Sequence, residues 1–163
     1  MSKRLSPLTA SRWSRPLGID SGRALTLTQA AVATERQGKN ARQLLEAMAL
    51  ETAALETGDE GIAVSVVTVL ELAHGIARAD TAERRDRRQR FLDELLTGVP
   101  IQPVTVPIAL RAGQIDGQGQ AKGIRIPLSD LLIGASALEL GYGVGTRNVR
   151  HFQLIPGLNV IQL

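Results

Sequence analysis

The chain has 163 residues, which is enough for one domain with a sizeable core and too few for two. It contains no cysteine, which excludes disulfides and thiolate metal sites, and only 2% of its residues are aromatic, so the core must be aliphatic. A formal net charge of +3 is compatible with nucleic acid as a partner but does not identify one. No apolar run approaches the roughly 20 residues of a membrane span, so we expect a cytoplasmic protein without a membrane partner.

The N-terminal part of the chain is read as an extension followed by the start of the folded domain. Residues 1–22 are rich in Pro, Ser, Gly and Arg without an apolar period, which predicts a basic, poorly ordered extension, and the domain is expected over residues 23–163. Residues 24–27 form a possible strand, and a helical stretch follows up to Gly38. Asn40 is expected to cap a further helix that ends before Gly58.

The middle of the chain alternates between apolar strands and helical patterns. Residues 62–65 read as a buried strand, and residues 67–79 as a helix. Residues 82–96 predict a strongly basic helix, and residues 100–104 begin the next strand. The residues of the basic helix expected to face inward are Phe91, Leu92, Leu95 and Leu96.

The C-terminal part continues the same alternation. Helices are predicted over 106–122 and 128–140, stopped by Gly123 and Gly141 respectively, and strands over 142–146 and 158–163. Strands separated by helices predict an α/β fold with a mostly parallel sheet.

Two acids stand where reactive groups gather in such a sheet, close to the carboxyl ends of strands. Glu71 lies one turn into the helix after residues 62–65, and Asp130 lies at the start of the helix that begins near Ser129. Converging carboxylates repel each other, and a hard divalent cation such as Mg²⁺ or Mn²⁺ relieves that repulsion. Such a cation also activates water against a phosphodiester.

Structural roles for these residues stay open at this point. Thr68 and Glu71 match a capping box, and Asp130 is also the kind of anion that a helix N-terminus favours. The arginines of the basic helix alternate with acids, as on a solvated helix face, with nucleic-acid contact as the alternative reading. His74 and His151 are isolated in the sequence, which is typical of packed or surface histidines.

Residues 64–80 and 126–163 resemble the PIN-domain signatures of VapC-like ribonuclease toxins. In the second stretch, Asp-Leu-Leu-Ile-Gly-Ala (130–135), Thr-Arg-Asn-Val-Arg-His-Phe (146–152) and Ile-Pro-Gly-Leu-Asn-Val (155–160) occur in order at the expected spacing. The resemblance implies a three-layer α/β/α domain with a small, mostly parallel sheet flanked by helices. It further implies cleavage of RNA with Mg²⁺ or Mn²⁺, a homodimer, and an antitoxin partner.

By position in that resemblance, Glu71 and Asp130 correspond to metal-binding acids, and both are expected to be catalytic. Asn148 falls where a further acid is often found and is expected to act as neutral support, and Thr146 matches a polar residue of the same loop.

The chain departs from the family pattern at the first strand. There the family carries an aspartate in Asp-Thr-Ser, whereas this chain carries Thr28-Gln29-Ala30, and Asp20 is a rival candidate for the missing acid. Two functions therefore stay open, an active ribonuclease toxin and a weak or inactive PIN scaffold that dimerises and binds an antitoxin or RNA. A nucleotide-binding protein is a weaker third reading, based on the glycine-rich residues 113–123.

Overall fold

The computed structural model describes residues 63–162. The expected basic extension at residues 1–22, the strand at 24–27 and the helices up to Gly58 lie outside the described residues. So do Asp20 and Thr28, and the statements about them above stay predictions.

The first half of the described chain is a pair of parallel strands joined by two helices. Strand β1 (Val64–Ser65) leads directly into α1 (Val66–Ala77), and α2 (Ala82–Gly98) returns the chain to β2 (Ile101–Gln102). Val64 pairs with Ile101 in parallel register, which requires a crossover connection such as these helices provide. The predicted strand at 100–104 is shorter than expected because Pro103 has no N–H to donate to a ladder.

The second half begins with two long helices that pack along each other. Helix α3 (Val106–Gln120) has a proline in its first turn, where the missing N–H costs nothing. Helix α4 (Leu128–Leu140) has the bounds predicted from sequence, and it ends at Gly141, whose φ of 71° lies in the left-handed region.

A second parallel pair completes the described fold. Strand β3 (Val144–Thr146) is followed by the short helix α5 (Val149–Phe152) and then by β4 (Val160–Gln162). Val144 pairs with Val160 in parallel register. The predicted mostly parallel sheet is thus present, within residues 63–162, as two parallel pairs flanked by helices.

Helix α4 lies at the centre of the aliphatic core. On one side Leu131 and Ala135 pack with Ile108 and Ala112 of α3, and the small alanines let the two helices approach closely. On its other side α4 joins a second buried cluster that includes both α1 and the β3–α5 region. The buried members of that cluster are Ala63, Val67, Ile133, Ala137, Val144, Phe152 and Ile155.

One expectation from the sequence is wrong. Leu96 was expected to face inward but is 44% exposed, because the buried stripe of α2 runs through Phe91, Leu92 and Leu95 and Leu96 falls at its edge. The glycine-rich residues 113–123 lie mostly in α3, as the predicted helix over 106–122 requires, which removes the support for the weaker nucleotide-binding reading. No helix within residues 63–162 is long and apolar enough to cross a membrane.

Candidate active site

Helix α1 carries Glu71 in its second turn. The helix begins one residue after Ser65, whose side-chain oxygen accepts a hydrogen bond of 3.2 Å from the backbone N–H of Val67. Because Ser65 and not Thr68 caps the helix, Glu71 is too far along it to return to the helix start. The capping-box reading of Glu71 is therefore wrong, and its carboxylate is left for another role.

Helix α4 carries Asp130 in its first turn. The residue before this helix is Pro127, which offers no side-chain cap. The carboxylate of Asp130 in the first turn therefore interacts favourably with the positive end of the helix dipole. Asp130 is nevertheless only 5% exposed. A carboxylate buried to that degree needs partners, because burial alone penalises its charged form.

The structure brings Glu71 and Asp130 together. Burial and the neighbouring charge of Asp130 both raise the pKa of Glu71, and burial is the larger cause. The hydroxyl of Ser129 donates a hydrogen bond to Glu71, which acts in the opposite direction and lowers the pKa of Glu71 without cancelling the increase. Two acids that repel each other in a partly buried crevice form a place where a cation would be stabilised.

His151 lies at the site, although the sequence did not predict a role for it there. His151 of α5 places its Nδ1 2.7 Å from Oδ2 of Asp130, so this histidine is packed against a site acid although it is isolated in the sequence. His74, in contrast, is exposed in the last turn of α1.

Asn148 lies on the loop between β3 and α5. Its backbone N–H donates a hydrogen bond of 3.1 Å to Oγ1 of Thr146, and Thr146 is fully buried. Within residues 63–162, the Asn148 side chain makes no hydrogen bond to Glu71 or Asp130. The structure thus gives Asn148 a clear part in shaping the loop, and its catalytic role stays a prediction.

The donor set of the crevice fits a hard divalent cation. Carboxylate oxygens are the ligands that Mg²⁺ and Mn²⁺ prefer, and Mg²⁺ is commonly held by one or two carboxylates and several waters. Among residues 63–162, no group of three His, Cys, Asp or Glu side chains is arranged to hold a metal ion. Glu71 and Asp130 as metal ligands therefore stay a prediction, although their carboxylates fit such a cation in kind.

The basic helix α2 uses some of its arginines within the fold. Arg84 contacts both carboxylate oxygens of Asp80, at 2.8 and 2.6 Å, and Arg88 donates to the carbonyl of Gly75 on α1. The Arg88 contact ties α2 to α1, and the Arg84 contact holds the loop just before α2, which supports the structural reading of the basic run. Nucleic-acid contact by the remaining arginines stays a prediction.

Comparison with known proteins identifies the family to which the chain is similar. The model of the PIN domain family matches residues 28–156. The chain is 37% identical over 100 residues to ribonuclease VapC10 of Mycobacterium tuberculosis, covering 61% of this chain and 69% of that protein. It is 30% identical over 132 residues to the plasmid stability protein StbB of Pseudomonas syringae pv. tomato, covering 78% and 88%.

Solved structures agree with the sequence comparison. The toxin–antitoxin complex VapBC2 of Rickettsia felis, bound to a DNA fragment from its promoter, contains a chain that superposes with a TM-score of 0.71. The match covers 86% of this chain and 98% of that chain at 21% sequence identity, and it supports the same fold.

Proposed function

We propose, because the chain belongs to the PIN-domain family, that it is a metal-dependent endoribonuclease acting as the toxin of a toxin–antitoxin pair. The observation that carries this proposal is the pairing of Glu71 with Asp130. The two acids lie on separate helices, and the charge of Asp130 contributes to raising the pKa of Glu71. A bound cation would offset the repulsion between the two carboxylates, which contributes to the raised pKa of Glu71.

In this proposal Glu71 and Asp130 hold Mg²⁺ or Mn²⁺. When bound, the cation supplies an activated water and offsets the charge that develops on the phosphate. Ser129 holds Glu71 through its hydroxyl. Asn148 acts as neutral support at the edge of the site, and the backbone bond to Thr146 fixes the loop that presents it.

The proposed partners follow from the relatives. We expect RNA as the substrate, a homodimer as the working form, a small antitoxin as the inhibitor and the cytoplasm as the location. We also propose that the PIN domain extends over residues 23–163, and that residues 1–22 are a basic extension to it.

RNA cleavage in the presence of Mg²⁺ or Mn²⁺ tests the proposal directly. The wild-type chain, free of antitoxin, is expected to cleave RNA, and Glu71→Gln or Asp130→Asn is expected to reduce cleavage by about 100-fold or more, since each removes one of two charged ligands. Glu139→Gln is the matched control, because Glu139 forms only a surface ion pair with Arg111. Equal activity in the wild type and both site variants would contradict the proposal.

A second candidate is a weak or inactive PIN scaffold that keeps its partners. It is favoured by one specific observation, namely that the position expected to hold the first-strand aspartate is Thr28, and a neutral hydroxyl does not replace a carboxylate ligand. Calorimetric titration with Mn²⁺ separates the two candidates. Tight binding argues against the scaffold, whereas undetectable Mn²⁺ binding together with antitoxin binding supports it.

A further inference from the structure

We infer that His151 is a positioning residue for the metal site. Its Nδ1–H holds Oδ2 of Asp130 and leaves Oδ1 as the oxygen available to a cation. This inference rests on the proposed function, since it concerns the cation that Glu71 and Asp130 are proposed to bind.

The contact between His151 and Asp130 has the geometry of a strong hydrogen bond. The distance from Nδ1 to Oδ2 is 2.7 Å, at the short end of the range for a nitrogen donor and a carboxylate acceptor. A carboxylate that binds a cation is ionised and only accepts hydrogen bonds, so the proposal places the shared proton on Nδ1. The side chain of Asp130 is 7% exposed and that of His151 29% exposed, so the bond is sheltered from competing water.

The backbone that carries the imidazole is anchored on both sides of His151. The next residue, Phe152, is fully buried in the core, and the backbone carbonyl of His151 accepts a hydrogen bond from Leu154. On the other side, the bond from Asn148 to Thr146 fixes the entry into α5. Because α5 is anchored at both ends, His151 is already positioned beside Asp130, and little conformational entropy is lost when a cation binds.

A direct metal ligand is a poorer account of the same contact. Glu71, Asp130 and His151 do not form a three-ligand group, and among the described residues no such group exists. The nitrogen nearest the site, Nδ1, is already engaged by Oδ2. Hard cations such as Mg²⁺ also prefer oxygen to nitrogen, whereas an outer histidine or carboxylate commonly orients a ligand.

Three substitutions at His151 separate these roles because each keeps a different part of the imidazole. His151→Asn places an amide nitrogen at the position of Nδ1, His151→Gln places one at the position of Nε2, and His151→Ala removes both. The probe is Mn²⁺ alone, titrated by calorimetry into the full chain. We expect His151→Ala and His151→Gln to weaken Mn²⁺ binding by about 10- to 100-fold, and His151→Asn to stay within about threefold of the wild type.

Two controls accompany this series. His74→Asn changes the other histidine of the chain, which is exposed in the last turn of α1, and it should leave Mn²⁺ affinity unchanged. Thermal unfolding of each variant shows whether it folds. Should His151→Ala fail to fold, the comparison of Asn with Gln still decides between the two nitrogens.

A second readout needs no metal. In a ¹H–¹⁵N spectrum of the imidazoles, a proton on Nδ1 of His151 should be protected from exchange in the wild type and lose that protection in Asp130→Ala. The chain has two histidines, so His74→Asn assigns the signal. An Nδ1 without a protected proton would overturn the inference.

The remaining outcomes are distinct. Equal Mn²⁺ affinity in all His151 variants would overturn the positioning role and leave the proposed function standing. Retained affinity in His151→Gln with loss in His151→Asn would assign the contact to Nε2 and also overturn it. A wild-type chain that binds no Mn²⁺ would overturn both the inference and the proposed function.

Discussion

The charge of Asp130 raises the pKa of Glu71 across the contact between α4 and α1. Since burial acts in the same direction, the apo fold holds Glu71 in a place that disfavours its ionised form. The charge of Glu71 that would bind a cation therefore lowers the stability of the cation-free fold, and this effect on stability is measurable.

Glu71→Gln is expected to raise the Tm of the chain at neutral pH when a chelator removes divalent cations. A raised pKa means that folded Glu71 binds a proton more readily than unfolded Glu71, so the wild type loses stability as pH rises through the folded pKa. The advantage of Glu71→Gln should accordingly shrink as the pH falls from the raised pKa of folded Glu71 towards the ordinary glutamate value. Thermal unfolding at several pH values measures this, with Glu139→Gln as the control. A lower Tm for Glu71→Gln at neutral pH would contradict the assignment.

Saturating Mn²⁺ should raise the Tm of the wild type above that of Glu71→Gln, which is the reverse of the order expected with a chelator. A ligand that binds only the folded state adds about 2.7 kcal/mol at 100 times its dissociation constant, which for a domain of this size raises Tm by about 5 to 10 °C. Wild-type protein should show this increase in thermal unfolding, and Asp130→Asn should show little of it. An equal increase in both would place the cation elsewhere in the chain.

Gly134→Ala is expected to destabilise the core by about 1 to 3 kcal/mol through overpacking. A Cβ at Gly134 would collide with Cδ1 of the buried Ile155 and lie 3.3 Å from Cδ2 of Leu158. Gly113→Ala is the matched helical control, because nothing lies within 4 Å of its added Cβ. That control should stabilise the chain by about 0.5 to 1 kcal/mol. Chemical denaturation measures both, and a stabilised Gly134→Ala would refute the packing described here.

Ser65→Ala should cost about 1 kcal/mol, because it removes the cap of α1 and leaves the N–H of Val67 without that acceptor. The matched control is Ser136→Ala at a second buried serine, whose hydroxyl donates to the carbonyl of Leu132 within its own helix. That bond contributes little, so we expect a change within about 0.5 kcal/mol. Equal losses in the two variants, measured by denaturation, would show that Ser65 does not act as a cap.

The sequence predicts the helices of this domain better than its strands. Helix α4 has an apolar pattern and a terminal Gly141, and its predicted and observed bounds agree. The strand predicted over 142–146 is reduced to Val144–Thr146, and that over 158–163 to Val160–Gln162 within the described residues. Strand length depends on which backbone groups find a partner, and that partner is remote in sequence.

The candidate site is likewise only partly predictable from the sequence. The family resemblance, together with the expected convergence of strand ends, predicts Glu71 and Asp130 as site residues. In the structure the helix of Glu71 follows strand β1, whereas Asp130 lies on the helix that follows α3, with no strand between them. The contact from His151 to Asp130 was missed, since it joins residues of two elements whose docking has no local sequence signal. The cap at Ser65 was missed because a serine at the end of a buried strand has the same local pattern whether or not it begins a helix.

The two acids belong to different halves of the described chain. Glu71 lies on the helix that follows β1, and Asp130 lies on the helix that leads into β3, and each of these strands pairs only within its own half among residues 63–162. A cation held by both acids would act as a clip between the halves, so local unfolding of either half would release it. A molecule that separates α1 from α4 would therefore prevent cation binding without contacting any ligand oxygen.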